Sequence, residues 1–168
     1  LEDNESKRIF VELIKGYFKD SPVDISYNKI CEGNQGFAKG IINLNSEESF
    51  VDCGAFNGDT IKEFLKRTNN AFSEIYAFEM DKDNYYDLEK FIDDLSINKK
   101  ESIFAYNIGL WNDSGTIKYN NKSTAASNIS EKGKTIACID QLDTILEGKT
   151  VILIKMHIEG AEMEALNG

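Results

Sequence analysis

The sequence predicts an α/β fold: a parallel sheet with helices on both faces, preceded by an N-terminal helical cap. Three observations predict it. FVDCGAFNGDT, Phe50 to Thr60, runs from a short apolar strand through a glycine turn into a segment of helical periodicity. Strand-like and helix-like patterns then alternate as far as Asn107, the signature of βαβ units and hence of a parallel sheet. VILIKM, Val151 to Met156, is a continuous apolar run of the kind found in strands buried on both faces.

Taken in order, the first element is an amphipathic helix over 5–19. Ile9, Phe10, Leu13, Ile14, Tyr17 and Phe18 recur at helical spacing, and Pro22 ends it. Residues 23–48 are mixed, with a possible short strand at Ile41-Ile42 and turns at Gly33, Gly36 and Gly40. The division expected is therefore 1–48, a helix and lead-in cap, and 49–168, the core. The lead-in covers apolar surface or, alternatively, forms a lid over a pocket. In the core, strand Phe50–Cys53 precedes helix Asp59–Arg67, whose Ile61, Phe64 and Leu65 share a face. Strand Ile75–Glu79 precedes a helix over 83–95 with Asp83 as its N-cap. A third strand follows over Ile103–Asn107. GLWNDSGTIKYN then reads as a β-hairpin turning at Asn112–Gly115, 120–135 as a polar loop, Thr135–Ile139 as a short strand, and Asp140–Leu146 as a short helix. After the Val151–Met156 strand, Ala161, Ala165 and Leu166 begin another helix.

Composition narrows the function classes. The 168 residues suffice for one sizeable core, and 41% hydrophobic with 29% charged residues is ordinary for a globular chain. A net charge of −10 without a Lys/Arg cluster speaks against a nucleic-acid partner. Cys31, Cys53 and Cys138 are widely spaced and one histidine cannot build a His-rich metal site, so no metal is expected. The same cysteine usage suits a reducing, cytoplasmic location. No apolar span long enough for a membrane helix is present. The chain begins at Leu1 rather than Met, which leaves N-terminal targeting open.

In an open parallel sheet, ligands bind at the carboxyl ends of the strands. Three such ends are distinctive here. At the first, Asp52 precedes Gly54 and Gly58, whose freedom at positive φ lets backbone approach a ligand. The bland alternative is a glycine turn of any α/β protein. At the second, Glu79 closes its strand some twenty positions later, an offset suited to accepting both hydroxyls of a ribose. Otherwise it is a solvated strand end. Met80 packs on an adenine face or in the core. At the third, His157-Ile158-Glu159-Gly160-Ala161-Glu162 gathers the histidine and two carboxylates at a strand–helix junction, where a substrate could meet an acid–base pair. Read separately, Glu159 and Glu162 are helix-start acids favoured by the helix dipole. Cys53-Gly54-Ala55-Phe56-Asn57-Gly58 lacks the middle glycine of the dinucleotide pattern. That disfavours a pyrophosphate and favours a nucleoside without one, such as S-adenosylmethionine.

FVDCGAFNGDT, IYAFEMD, NIGLWNDSGTIKY and LIKMHIEGAEMEAL together resemble the FkbM-type methyltransferases, a branch of the class I S-adenosylmethionine-dependent enzymes. The resemblance spans most of 49–168. It implies a Rossmann-like class I methyltransferase sheet, incomplete at its C-terminus in this chain, and O-methylation of a hydroxyl on a sugar, glycan or natural product. It assigns Asp52, Gly54, Ala55 and Gly58 to cofactor binding, on the methionine side, and Glu79 to the ribose. Met80 and the stretch from Asn107 to Leu110 fall on the adenine side. Lys155, Glu159 and Glu162 match the motif near the transferred methyl, where the family reads Lys-x-Asp-x-Glu-Gly-Ala-Glu and this chain carries His157 at the Asp position.

The expected chemistry is displacement at a sulfonium methyl. His157 takes the acceptor proton and Glu159 or Glu162 orients it. His157 as a plain polar wall residue is the alternative. Two other functions remain open: a module that keeps the cofactor fold without turnover, and an NAD-dependent oxidoreductase, which the glycine spacing disfavours. The acceptor and the oligomeric state are not legible.

Overall fold

The computed structural model describes residues 3–17, 37, 42–120, 128–129 and 133–168. The chain divides into two compact units, Leu1–Ile41 and Ile42–Gly168.

In the first unit, helix α1 spans Asn4–Tyr17. It starts where Ser6 donates its backbone N–H to Asp3 Oδ1 at 2.7 Å, an N-terminal cap. Phe10 and Ile14 of its apolar stripe are exposed, as is Val11. Phe18, Lys19, Pro22 and the glycine turns of the lead-in lie outside the described residues. So does Ile41, and Ile42 is not in a strand.

The second unit is built on β1 (Phe50–Cys53), β2 (Ile75–Phe78), β3 (Ile103–Tyr106) and β8 (Leu153–Met156). They form a parallel sheet in the order β3-β2-β1-β8. Between them run α2 (Asp59–Arg67) and α3 (Lys82–Asp94). Side chains alternate across the sheet. Phe50 and Ile75 face one side, where Phe50 stacks on Phe64 of α2 with ring centroids 4.6 Å apart, and Phe72 meets Phe64 edge-on at 6.4 Å. Val51, Cys53, Tyr76 and Phe78 face the other, packed with Leu142 of α4 (Leu142–Ile145) and Ala165 of α5 (Glu162–Leu166). This is the expected two-faced architecture. Its cause is the direction of growth. Right-handed crossovers from β1 outward to β3 put helices on one face, and the return to β8 beyond β1 puts the next ones on the other.

Four local expectations are corrected. Asp81, not Asp83, caps α3: its carboxylate accepts from Asp83 N and Asn84 N. The Asn112–Gly115 turn does not close a hairpin. β4 (Gly109–Leu110) and β5 (Gly115–Asn120) are separated by β7 (Thr135–Asp140), which pairs parallel with β4 and antiparallel with β5. Ser114 Oγ on Asp140 Oδ1 at 2.6 Å and Trp111 N on Asp140 O at 3.0 Å tie the turn to β7 instead. The polar stretch 120–135 is not wholly a loop, since β6 (Asn128–Ile129) pairs antiparallel with β5. Lastly, β8 is not buried on both faces. It pairs only with β1 in the described sheet, and Ile154 is 49% exposed.

Phe64 is fully buried between two aromatic rings and the sheet. Phe64→Ala is expected to cost about 3–5 kcal/mol, since the rigid ring partners cannot collapse into the void. Urea unfolding of the two proteins, compared at equal slope, measures it.

Candidate functional site at the carboxyl edge

The carboxyl ends of β1, β2 and β8 lie side by side, with Asp52 in register with Ala77 on one side and Lys155 on the other. β1 runs straight into the glycine turn. Gly54 and Ala55 both donate their N–H to Phe78 O at 2.9 Å, and Gly58 N closes back on Ala55 O at 2.8 Å. Gly54 adopts φ +83°, and a Cβ there would overlap the His157 carbonyl oxygen. Gly58, at φ +86°, is the N-cap of α2, and a Cβ there would strike the Phe91 ring. Both glycines are therefore fixed by sterics as well as by φ.

Glu79 sits directly after β2 and is 8% exposed. Its Oε2 accepts from Phe56 N at 2.9 Å and its Oε1 from Asp81 N at 2.8 Å. One carboxylate thus joins the turn after β1 to the turn after β2. Burial raises its pKa above the ordinary carboxylate value, opposed by those two backbone bonds. Asn107 closes the second turn, its Nδ2 donating to Glu79 O at 2.9 Å and Met80 O at 3.1 Å. Met80 reaches the backbone of Gly109, where a Cβ would come 3.1 Å from its Sδ. Leu110 is buried with Val51, Cys53 and Phe78 in the core. Met80 and Asn107 therefore stand at the β2 turn beside Glu79, while Leu110 stands behind the site.

Asp52 is wholly buried. Lys155 Nζ lies 2.8 Å from its Oδ1 and donates equally closely, at 2.8 Å, to Gly54 O. The other oxygen, Oδ2, is buried without a hydrogen-bond partner. Burial pushes the Asp52 pKa up to about 6 in spite of Lys155, and the neighbouring charges of Asp59 and Glu79 add to the rise. Cys53 beside it is pushed up to about 12 by burial, an inert thiol packed in the core.

At the third end, His157 donates its backbone N–H to Cys53 O at 3.0 Å while its side chain is 71% exposed. Its Nε2 is 3.5 Å from Glu159 Oε1, an electrostatic contact longer than a hydrogen bond. Glu159 holds φ +57°, an uncommon conformation for a residue with a Cβ. Glu162 is differently employed. Its Oε1 accepts from Ile158 N at 2.9 Å and its Oε2 from Gly160 N at 3.0 Å. The Ile158 bond, first among these contacts, pulls its pKa down. Glu162 therefore staples the loop, and Glu159 is the carboxylate beside His157.

Asp81 was not singled out as part of the site from the sequence, and Lys155, which the family resemblance placed near the transferred methyl, was not expected to pair with Asp52. Asp81 completes the Glu79 carboxylate, and its signal was its place directly after the strand-end acid in EMD. Lys155 pairs with Asp52 inside the sheet. A lysine within an apolar strand was itself the signal, because buried charges are retained only with partners. Among the described residues, no group of three or more His, Cys, Asp or Glu side chains is placed to hold a metal ion, and no helix is long and apolar enough to cross a membrane.

The model of the methyltransferase FkbM domain matches residues 52–168, which includes all three strand ends. The chain belongs to that family. Among solved structures, a methyltransferase FkbM from Methylobacillus flagellatus KT superimposes with a TM-score of 0.70 at 20% identity, over 99% of this chain and 40% of that one. At that identity the likeness establishes the Rossmann-like class I fold, and the chain spans about two-fifths of its neighbour's length. No curated protein matches the sequence.

The Asp52 proton gives a test with a definite sign. Its folded pKa of about 6 stands above the ordinary 3.8, so between those values the native state binds more protons than the unfolded chain. The stability Asp52 contributes is full below about pH 4 and is lost as pH rises through about 6, by about 3 kcal/mol in total. Urea unfolding of the parent and of Asp52→Asn from pH 4 to 7 should show the parent losing stability relative to the variant across that window. A pH-independent difference would contradict it.

Proposed function

We propose that the chain carries the methyl-donor half of an S-adenosylmethionine-dependent O-methyltransferase whose acceptor is a hydroxyl on a sugar, glycan or natural product. The observation that carries the reading is the Glu79 carboxylate, held at the glycine turn by Phe56 N and Asp81 N. Each carboxylate oxygen has a second lone pair, so Glu79 can accept a vicinal diol while keeping both backbone bonds. The donor set fits an S-adenosyl group on a further point: the partnerless, buried Asp52 Oδ2 beside the turn leaves an acceptor for a cationic ligand group.

When bound, S-adenosylmethionine supplies an electrophilic methyl on a positively charged sulfur. The residues of this chain bind, orient and deprotonate. Gly54 and Gly58 let the turn lie close to the ligand, and Glu79 fixes its ribose. His157, at the end of β8, would take the proton of the acceptor hydroxyl. Glu159 Oε1, 3.5 Å from Nε2, is the carboxylate placed to orient the ring. A second reading draws on the 71% exposure of the His157 side chain, which suits a module that binds the donor without transferring its methyl.

Thermal-shift titration with S-adenosylmethionine, S-adenosylhomocysteine and NAD separates the cofactor classes. At a hundredfold excess over its dissociation constant, a site ligand stabilises by about 2.7 kcal/mol. The two S-adenosyl ligands are expected to raise the melting temperature and NAD to leave it unchanged, while Glu79→Ala should weaken the response about tenfold or more. A response to NAD alone overturns the donor assignment. For the base, methyl-transfer rates of His157→Ala about 10²-fold below the parent are expected, and parental turnover in that variant removes His157 from the chemistry.

A further inference from the structure

The Asp52–Lys155 pair has a consequence beyond charge neutralisation. Lys155 comes from β8, whose chain continues into the His157–Glu162 loop, whereas Asp52 and Gly54 belong to the end of β1 and its turn. The ammonium makes one 2.8 Å contact with the Asp52 carboxylate and another with the Gly54 carbonyl. That carbonyl belongs to a residue at positive φ whose Cα faces the His157 backbone with no room for a side chain. The Lys155 side chain is only 21% exposed, so both contacts are made with little competition from water.

We propose that Lys155 is a positioning residue for the donor site. By gripping Asp52 Oδ1 and Gly54 O together, it holds the Gly54–Gly58 turn in its ligand-accepting shape and locks that turn to the His157 loop. This inference rests on the donor reading for its function, but the grip itself is a property of the chain alone. The physical case lies in what else could hold the Gly54 peptide. The Gly54 carbonyl shares its peptide plane with Ala55 N, which donates to Phe78 O at 2.9 Å, so a single neutral bond holds that plane from the β2 side. The charge-assisted bond from Lys155 is the stronger restraint, roughly twice a neutral one. It also explains a lysine in a strand whose neighbours Ile154 and Met156 are apolar. The two loops that a methyl transfer must hold at fixed separation, already in backbone contact through His157 N and Cys53 O, are tied a second time through one side chain.

Amide hydrogen exchange tests the grip without any ligand. In Lys155→Met, which keeps most of the stem, exchange at the Gly54, Ala55 and Gly58 amides should quicken about tenfold or more while the β2 amides Ile75–Phe78 keep their rates. Lys155→Arg, which retains charge and donors, should restore most of the protection. Unchanged turn rates in Lys155→Met overturn the proposal, as does an equal acceleration at the turn and in β2, which would mean general destabilisation. Removing one partner strands a buried Asp52, so Lys155→Met alone could fail to fold. The double variant Asp52→Asn/Lys155→Met removes both charges and spares that cost, and it must show the same local loss at the turn. Calorimetric titration with S-adenosylmethionine adds the functional arm, with affinity about tenfold weaker in Lys155→Met and recovered in Lys155→Arg. If the parent binds no S-adenosyl ligand, the donor reading falls while the exchange comparison still decides the grip.

Discussion

The structure of the second unit depends on β1 being paired on both sides, by one strand near it in the chain and one far from it. β2 follows it by way of one helix, while β8 arrives from a hundred residues away. At the carboxyl end this leaves two backbones diverging from one strand, one bending toward Glu79 and the other toward His157. Such a reversal of strand order opens a crevice in any doubly wound sheet. Here the crevice is narrow at its base. Gly54 abuts the His157 carbonyl, and His157 N reaches back to Cys53 O at 3.0 Å. The glycine turn and the His157 loop are therefore in direct backbone contact.

Electrostatics concentrates at the same point. Asp52 is fully buried, short of one hydrogen bond, and compensated by a single lysine. Removing two charges from water usually costs more than their attraction returns. That cost is visible in the Asp52 pKa, which stays near 6 with an ammonium 2.8 Å away. An apolar pair at these register positions would pack without it. Retaining the charges makes sense where a carboxylate oxygen and a fixed carbonyl have work at the strand end. Glu79 and Glu162 differ from Asp52 in that each of their oxygens accepts a backbone N–H, and each carboxylate organises a turn.

The departures from the sequence-based expectations share a cause. A local pattern identifies an extended segment but not its partner. Gly109–Leu110 and Gly115–Asn120 were both legible as extended, yet their pairing is settled by β7, whose insertion depends on Asp140 reaching Ser114 and Trp111 across 26 and 29 residues. Likewise VILIKM announces a strand through its β-branched and apolar content, but its burial depends on how many neighbours it acquires. Asp81 displaced Asp83 as the cap because Glu79 draws Asp81 N and so sets where the helix can begin.

The sequence by itself determined the order of strands and helices, the glycine turn after the first strand, the acid closing the second, and the clustering of His157 with its carboxylates. These are properties of short windows, where φ preferences, periodicity and spacing act directly. Membership of the FkbM family is legible in the same windows, because its motifs are strand ends and turns. Only the tertiary structure decided which of those groups do what. It gave Glu79 to Phe56 and Asp81, committed Glu162 to its own loop, left Glu159 beside His157, and brought Lys155 to Asp52 across 103 residues. The reason is physical: a carboxylate's role is set by the donors that burial places around its oxygens, and no local pattern carries that information.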